Sequence, residues 1–382
     1  MNKKDNMILL PENAEDKYSM HTMTLSCRLT PSYCQTVKNA LEKYTYDHHK
    51  KRKAENNNYQ KIIKYFGIAE EFGFNTVEYI VSIPQEEKFR IHRLEIKINP
   101  HRLFHSENYP FVYIASLEDI KKCFSSVETM LGRIGIDKDL IKCFIIKRID
   151  LCCNIDLGTK EQAHEYLQLL LKGAYPKGFK RLKEKSESGK RKIPTKNSFT
   201  VHSKNIEFAL YDKYKQLKEE AEKYGEAELK EAEGKIRIEL RYERQKVYNC
   251  SKKYKFEDEE TFLHRVPTVA NDEISRYIKM CYGSGNFVKL NIARKIVKNS
   301  HYRNKTKDKL LEMLDLVKGK HTLQDAKEIL DLDYQSRLNK FNELGISPIT
   351  LPKRSKYIEF KNPLYYIENC NCNIPESDII YG

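Results

Sequence analysis

The chain has 382 residues, 40% of them hydrophobic and 32% charged, which is enough for two or three folded domains with a heavily solvated surface. No apolar run approaches the roughly 20 residues of a membrane span, and the apolar patch at 7–10 is too brief for a signal peptide, so a cytoplasmic protein is expected. A formal net charge of +15 favours a phosphate-bearing partner, and no basic amphipathic helix turns that preference from nucleic acid toward a membrane surface.

In chain order, residues 1–64 read as a helical and basic N-terminal segment. A helix over 32–46 would place Val37, Leu41 and Tyr44 on one side, and His48-His49-Lys50-Lys51-Arg52-Lys53 follows as a basic run. Residues 65–283 read as the main domain. Two strands are expected between 65 and 97 around a turn at Pro84-Gln85-Glu86-Glu87, with Leu94, Ile96 and Ile98 opposing Arg93, Glu95 and Lys97. Asn99-Pro100 stops the second strand, because proline cannot continue a ladder. A helix over 117–134 carries Leu117, Ile120, Phe124, Val127 and Leu131 at helical spacing.

The strand at 147–157 alternates most strictly: Ile149, Leu151, Cys153, Ile155 and Leu157 oppose Arg148, Asp150, Asn154 and Asp156. Thr159 caps a following helix striped by Ala163, Tyr166, Leu167 and Leu170. The loop 174–197 carries Lys180, Arg181, Lys190 and Arg191; it reads either as a DNA-contacting loop or as a solvated hairpin. Strands at 206–213 and 235–243 then set Glu207, Tyr211 and Lys213, and Arg237, Glu239 and Arg241, on their polar sides. A charged helix joins them. Residues 284–382, beyond Gly283-Ser284-Gly285-Asn286, read as a helical domain with a polar tail. Its helices are expected at 287–298, 306–318, 323–330 (capped from Thr322) and 334–344. The last two resemble a helix-turn-helix, with a plain helical hairpin as the alternative. The ten cysteines read as mostly buried thiols, and Cys370-Asn371-Cys372 lacks a second pair at zinc-site spacing.

Strands alternating with helices predict an α+β fold: an antiparallel sheet with helices on one face and an open functional face. That face would gather Glu95, Asp150, Tyr211, Lys213, Glu239 and Arg241. Carboxylates can hold Mg²⁺ or Mn²⁺, cations can stabilise a phosphoryl transition state, and tyrosine can act as an oxygen nucleophile. The plain alternative is that these are ordinary solvated positions on a half-exposed sheet.

Arg148-Ile149-Asp150, Ala209-Leu210-Tyr211-Asp212-Lys213 and Ile236-Arg237-Ile238-Glu239-Leu240-Arg241, preceded by Glu95-Ile96-Lys97-Ile98-Asn99-Pro100-His101-Arg102-Leu103, resemble the rolling-circle replication initiators. The resemblance covers roughly residues 90–250 and points to the filamentous-phage gene II type and the related plasmid Rep proteins of Gram-positive bacteria. It implies an HUH-endonuclease-like nicking domain that acts on double- and single-stranded origin DNA, with a host helicase as a further partner. It makes Tyr211 the nucleophile and Asp150, Glu239 and Glu95 the metal ligands. Arg148, Lys213 and Arg241 become phosphate contacts, with Arg237 and the loop cations as further DNA contacts. The chain lacks the two histidines flanking a hydrophobic residue that many such initiators carry; His92 and His202 stand alone. A conjugative relaxase would use the same chemistry, and a non-enzymatic DNA-binding protein would use the same basic surface.

Overall fold

The computed structural model describes residues 19–56, 59–82, 90–99, 103, 117–185, 192–194, 197–219, 225–255, 262–263, 265–319 and 321–368. The turn at Pro84–Glu87, the cations Lys190 and Arg191, and the tail with Cys370 and Cys372 lie outside these residues. The architecture is α+β: a ten-stranded antiparallel sheet with helices, followed by a mainly helical C-terminal part. The strands are β1 (Ser19–Leu29), β2 (Lys53–Asn56), β3 (Gln60–Lys64), β4 (Thr76–Ser82), β5 (Ile91–Ile98), β6 (Ile145–Asp156) and β7 (Lys180–Arg181). They continue as β8 (Lys183–Lys185), β9 (Lys192–Pro194), β10 (Ser198–His202), β11 (Ile206–Asp212), β12 (Lys235–Glu243), β13 (Phe287–Val288) and β14 (Glu359–Phe360). Spatial order in the large sheet is β2-β3-β4-β5-β1-β6-β12-β11-β10-β7. The chain divides into two compact units, Met1–Cys152 with Arg241–Ala270, and Cys153–Leu240 with Asn271–Gly382.

The first unit is organised around β1, a strand that the sequence reading left inside the N-terminal segment. Its residues Met23, Leu25 and Cys27 pair with Ile98, Ile96 and Leu94 of β5, and all six are essentially buried. The alternation is present in Met23-Thr24-Leu25-Ser26-Cys27-Arg28-Leu29. Toward the N-terminus, however, the register against β6 shifts between Met20 and Thr22, and the apolar residues change phase there. Helix Pro31–Asp47 buries Val37, Leu41 and Tyr44, as their spacing predicts. Helix Leu117–Arg133 buries Ile120, Val127 and Leu131.

In the second unit, β10 and β11 pair Phe199 with Leu210 and Val201 with Phe208. Phe199 packs at 5.6 Å from Tyr282, and Phe208 at 5.6 Å from Tyr277. Tyr282 is fully buried and donates its hydroxyl to Leu170 O at 2.9 Å, which satisfies the polar end of an otherwise apolar contact. Thr159 caps helix Lys160–Leu170 as expected, accepting from Gln162 N–H. Just before β12, Gly234 has φ +75°, and a Cβ there would lie 2.7 Å from the Gly158 carbonyl carbon. Glycine is what lets the backbone pass.

The C-terminal helices are Leu290–Asn299, Asn304–Val317, Leu323–Leu330, Leu332–Glu343 and Pro363–Glu368. Thr322 and Asp325 form a reciprocal capping box, and the two helices read as a helix-turn-helix or a plain hairpin meet at Asp331, whose φ is +44°. Gly285 lets the chain run against Ile346, whose carbonyl oxygen would sit 2.1 Å from an added Cβ. Among the described residues no helix is long and apolar enough to cross a membrane, and six of eight cysteines are buried.

Candidate active site

The residues proposed for chemistry fall into two clusters, one in each unit. In the first unit, Glu95 on β5 lies directly opposite Ser26 of β1 and Glu78 of β4. Two carboxylates facing each other across a ladder destabilise it unless cations neutralise them. Here Glu95 is neutralised. Lys147 Nζ donates to Glu95 Oε2 at 2.6 Å, Ser26 Oγ donates to Oε1 at 3.2 Å, and Arg93 Nε lies 3.6 Å from Oε1. Glu95 is 5% exposed, so these donors hold a nearly desolvated charge.

Asp150 on β6 is met by its strand neighbour on the same side. Arg148 Nε donates to Oδ1 at 2.7 Å and Nη2 to Oδ2 at 3.0 Å, a two-pronged guanidinium–carboxylate fork. Burial works against the Arg148 charge, but the hydrogen bond and attraction from Asp150 outweigh it, and the guanidinium pKa rises. The Arg241 charge opposes that rise, which puts Arg241 within electrostatic reach of Arg148. Arg148 Nη1 also lies 4.0 Å from Glu243 Oε1. Glu78, Glu95 and Glu243 line a small recess of about 180 Å³ with Lys97, Lys147 and Arg148, three carboxylates against three cations.

The second cluster is built on β11 and β12. Tyr211 is half-exposed, and its hydroxyl donates to Glu239 Oε1 at 2.5 Å. Glu239 is 2% exposed. Arg237, two residues earlier on the same side of β12, is fully buried, with Nη1 at 4.0 Å from the same Oε1. Arg237 Nε donates to Asn154 Oδ1 of β6 at 3.0 Å. A continuous chain thus runs from a half-exposed phenol through a buried carboxylate and guanidinium to a carboxamide.

The polar sides of β6 and β12 are therefore enclosed rather than open at Asp150, Arg237 and Glu239. Arg237, expected to face phosphate, has no exposed surface. Lys213 is likewise not on a strand. It opens helix Lys213–Glu219, is 3% exposed, and donates to Gln216 Oε1 at 2.6 Å. The cause is local: the Asp212 carboxylate accepts from Lys215 N–H at 3.1 Å and starts the helix at the residue expected to end the strand. The charged helix expected to follow is split into Lys213–Glu219 and Glu226–Glu231. Tyr214 lies under the Lys160 ammonium, 4.3 Å from its ring centroid. On the edge strand β7, Lys180 is exposed, whereas Arg181 donates to Leu171 O at 3.0 Å and stacks on Phe199.

Sequence reading missed Ser26, Glu78, Lys147 and Glu243. Ser26 and Glu78 meet Glu95 through strand pairing, and Lys147 and Glu243 approach Glu95 and Arg148 from other strands, which residue spacing does not reveal. Asn154 sat on the predicted polar side of β6 and was left without a role.

As placed, the carboxylates suggested for Mg²⁺ or Mn²⁺ are met by donors of this chain. Glu95 meets Lys147 and Ser26, Asp150 meets Arg148, and Glu239 meets Tyr211 and Arg237. Among the described residues, no three His, Cys, Asp or Glu side chains gather as a metal would need. This donor set is one of ion pairs and hydrogen bonds.

No family model and no curated protein matches the sequence. Among solved structures, a rolling circle replication initiator protein from Geobacillus stearothermophilus aligns with 89% of this chain and 99% of its own, at 10% identity and a TM-score of 0.30. A likeness that weak implies nothing about shared activity.

Proposed function

We propose that the protein is a DNA strand transferase that nicks and rejoins one strand through Tyr211, as a replication initiator does. The observation that carries this reading is the hydrogen bond from the half-exposed Tyr211 hydroxyl to the buried Glu239, backed by Arg237. The ordered sequence motifs around Arg148, Tyr211 and Glu239 support it independently, as does the +15 charge.

In the forward step, Tyr211 Oη forms a bond to phosphorus and one bridging P–O bond of the DNA breaks. The phenolic proton passes to Glu239, and the departing oxygen takes a proton from solvent water to become a free hydroxyl. Reversal by a DNA hydroxyl restores the phosphodiester and returns the proton to Tyr211, so the bond energy is conserved in the phosphotyrosyl link. Magnitudes decide the timing. In model compounds a phenol is a weaker acid than a carboxylic acid by about 6 pKa units, roughly 8 kcal/mol, so proton transfer ahead of attack is uphill. Proton transfer is therefore concerted with P–O bond formation, where the phenol has become far more acidic. Arg237 holds Glu239 in place and balances its charge in the resting state.

The test is incubation with supercoiled DNA carrying the protein's own origin, followed by denaturing gel analysis. The wild type should yield a covalent protein–DNA adduct. Tyr211→Phe loses only the hydroxyl, so it should fold, bind DNA and give no adduct. An adduct formed by the Phe variant would remove Tyr211 from the mechanism.

A second reading is favoured by one observation, the complete burial of Arg237 beside Glu239, which also suits a structural ion pair. On that reading the protein binds DNA without cutting it, and the wild type gives no adduct under any condition.

A further inference from the structure

In the C-terminal part of the second unit, a groove of about 920 Å³ has seven cations among its fourteen lining residues. Helix Leu290–Asn299 supplies Asn291, Arg294, Lys295 and Lys298 at i, i+3, i+4 and i+7, so all four share one side. The opposite side of the helix buries Ala293 and Val297, which fixes its rotation in the fold. Lys289, Lys318 and Lys353 reach the groove from neighbouring segments, and Lys172 closes it from the end of the preceding α/β layer.

Among the described residues no Asp or Glu lines the groove. Asp315, outside that lining, binds Lys318 Nζ at 2.9 Å and Arg294 Nη2 at 2.6 Å, and these contacts lower its pKa although burial opposes the shift. Lys172, Lys289, Lys295, Lys298 and Lys353 have no carboxylate partner among the described residues. Burial also lowers the pKa of Lys172, with no anion to offset it. Five unneutralised ammonium groups around one depression repel one another, and a polyanion would relieve that repulsion.

We propose that this groove is a second DNA contact, binding the phosphate backbone of one strand without reading its bases. The proposal rests on the reading that DNA is the substrate, and adds a surface that the Tyr211 cluster does not contain. Two features favour a strand over a small anion. The ten-residue helix is about 15 Å long, which matches the axial rise of roughly four nucleotides of one strand at about 3.4 Å each. No aromatic side chain lines the groove among the described residues to stack a base, and no carboxylate is there to hold a ribose or a metal–nucleotide.

The test uses the full chain carrying Tyr211→Phe, so that cleavage does not contribute, with labelled single-stranded and duplex DNA followed by fluorescence anisotropy across a salt series. Lys295, Lys298 and Lys353 are exposed, so their joint replacement by Ala should leave the thermal melt unchanged. The slope of log affinity against log salt should become shallower by about 2.7 on duplex or about 2.1 on single strands, three contacts at roughly 0.9 or 0.7 each. The Lys→Arg triple variant should keep the original slope.

An unchanged slope in the Ala variant would overturn the proposal. So would loss of inorganic triphosphate or phosphatidylserine-vesicle binding with the DNA slope intact, since the groove would then serve a small polyanion or a membrane. Lysine acetylation footprinting of the unmutated groove gives a variant-independent check. Lys295, Lys298 and Lys353 should be protected by DNA, and equal labelling with and without DNA would overturn the proposal. These readouts concern binding alone, so failure here leaves the covalent-adduct assay of Tyr211 standing, and the reverse.

Discussion

Two clusters of this molecule contain the same residue types, carboxylates flanked by arginine or lysine on strand faces, yet differ in what those groups are free to do. Around Glu95 and Asp150, each carboxylate oxygen meets a hydroxyl, ammonium or guanidinium of the same chain, and the recess beside them is balanced in charge. Around Glu239, one donor is a half-exposed phenol, a group with a leaving proton and a nucleophilic oxygen. A buried carboxylate paired by Arg or Lys is a structural device unless something displaces the cation. A buried carboxylate hydrogen-bonded to Tyr–OH has a proton it can accept. The difference lies in the partner and not in the acid.

The sharpest way to break this contrast is to neutralise the two acids in turn. Glu239→Gln keeps size and a hydrogen-bonding oxygen but removes the base. Adduct formation should fall by about 10²–10⁴, the usual range for a positioned general base, with DNA affinity near wild type. Asp150→Asn should leave the nicking rate within a few-fold. Rates measured by gel for both variants check the pair. Equal losses would show that the two clusters act as one site.

A smaller effect, on stability, should come from the first cluster alone. Arg148→Ala strands Asp150, which is 4% exposed, without its two-pronged partner. Removing one member of a fully buried pair costs about 3–5 kcal/mol; Arg148 is partly solvated, so about 2–3 kcal/mol is expected. Denaturant unfolding of Arg148→Ala measures this, and Arg148→Ala/Asp150→Asn should recover most of the loss. If the double variant is no more stable than the single, the fork is not what holds Asp150. A metal test belongs beside it. If the carboxylates work as ion pairs, nicking by the wild type should persist in EDTA; if EDTA abolishes it and Mg²⁺ or Mn²⁺ restores it, the cations seen on Asp150 and Glu95 must give way during turnover.

Much of this arrangement was legible before any coordinates, and the failures have physical causes. β5, β6, β11 and β12 follow from two-residue alternation, because a half-buried strand writes its faces directly into the sequence. The caps at Thr159 and Thr322 are equally local and were found. Burial of the polar sides was not legible. Arg237 and Glu239 look like solvated positions in a list of residues, and only the neighbours brought by β6 and β11 enclose them. β1 escaped because a register shift changes the phase of its apolar residues partway along. The basic groove escaped for another reason: its cations come from four separated stretches, none unusual in a chain with 69 lysines and arginines.

The smallest predicted effect separates the regions by pH. His92 on β5 shares a hydrogen bond with Tyr79 at 2.8 Å, and burial, aided by the Arg90 and Lys38 charges, lowers its pKa below the usual 6.5. Burial likewise pushes the Tyr79 phenol up to about 12. A histidine whose folded pKa is depressed binds its proton more readily when unfolded, so the folded state loses stability as pH falls below about 6.5, until the folded imidazole is itself protonated. Unfolding measured at pH 7.5 and 5.5, values about one unit either side of the free imidazole, should show this loss in the wild type and not in His92→Gln. Because His92 lies in the first unit and touches neither Tyr211 nor Glu239 among its recorded contacts, the adduct-forming rate of His92→Gln should track the wild type across that range. A rate that follows the His92 titration would couple the first cluster to the chemistry of the second, and the distinction between a structural and a reactive carboxylate would fail.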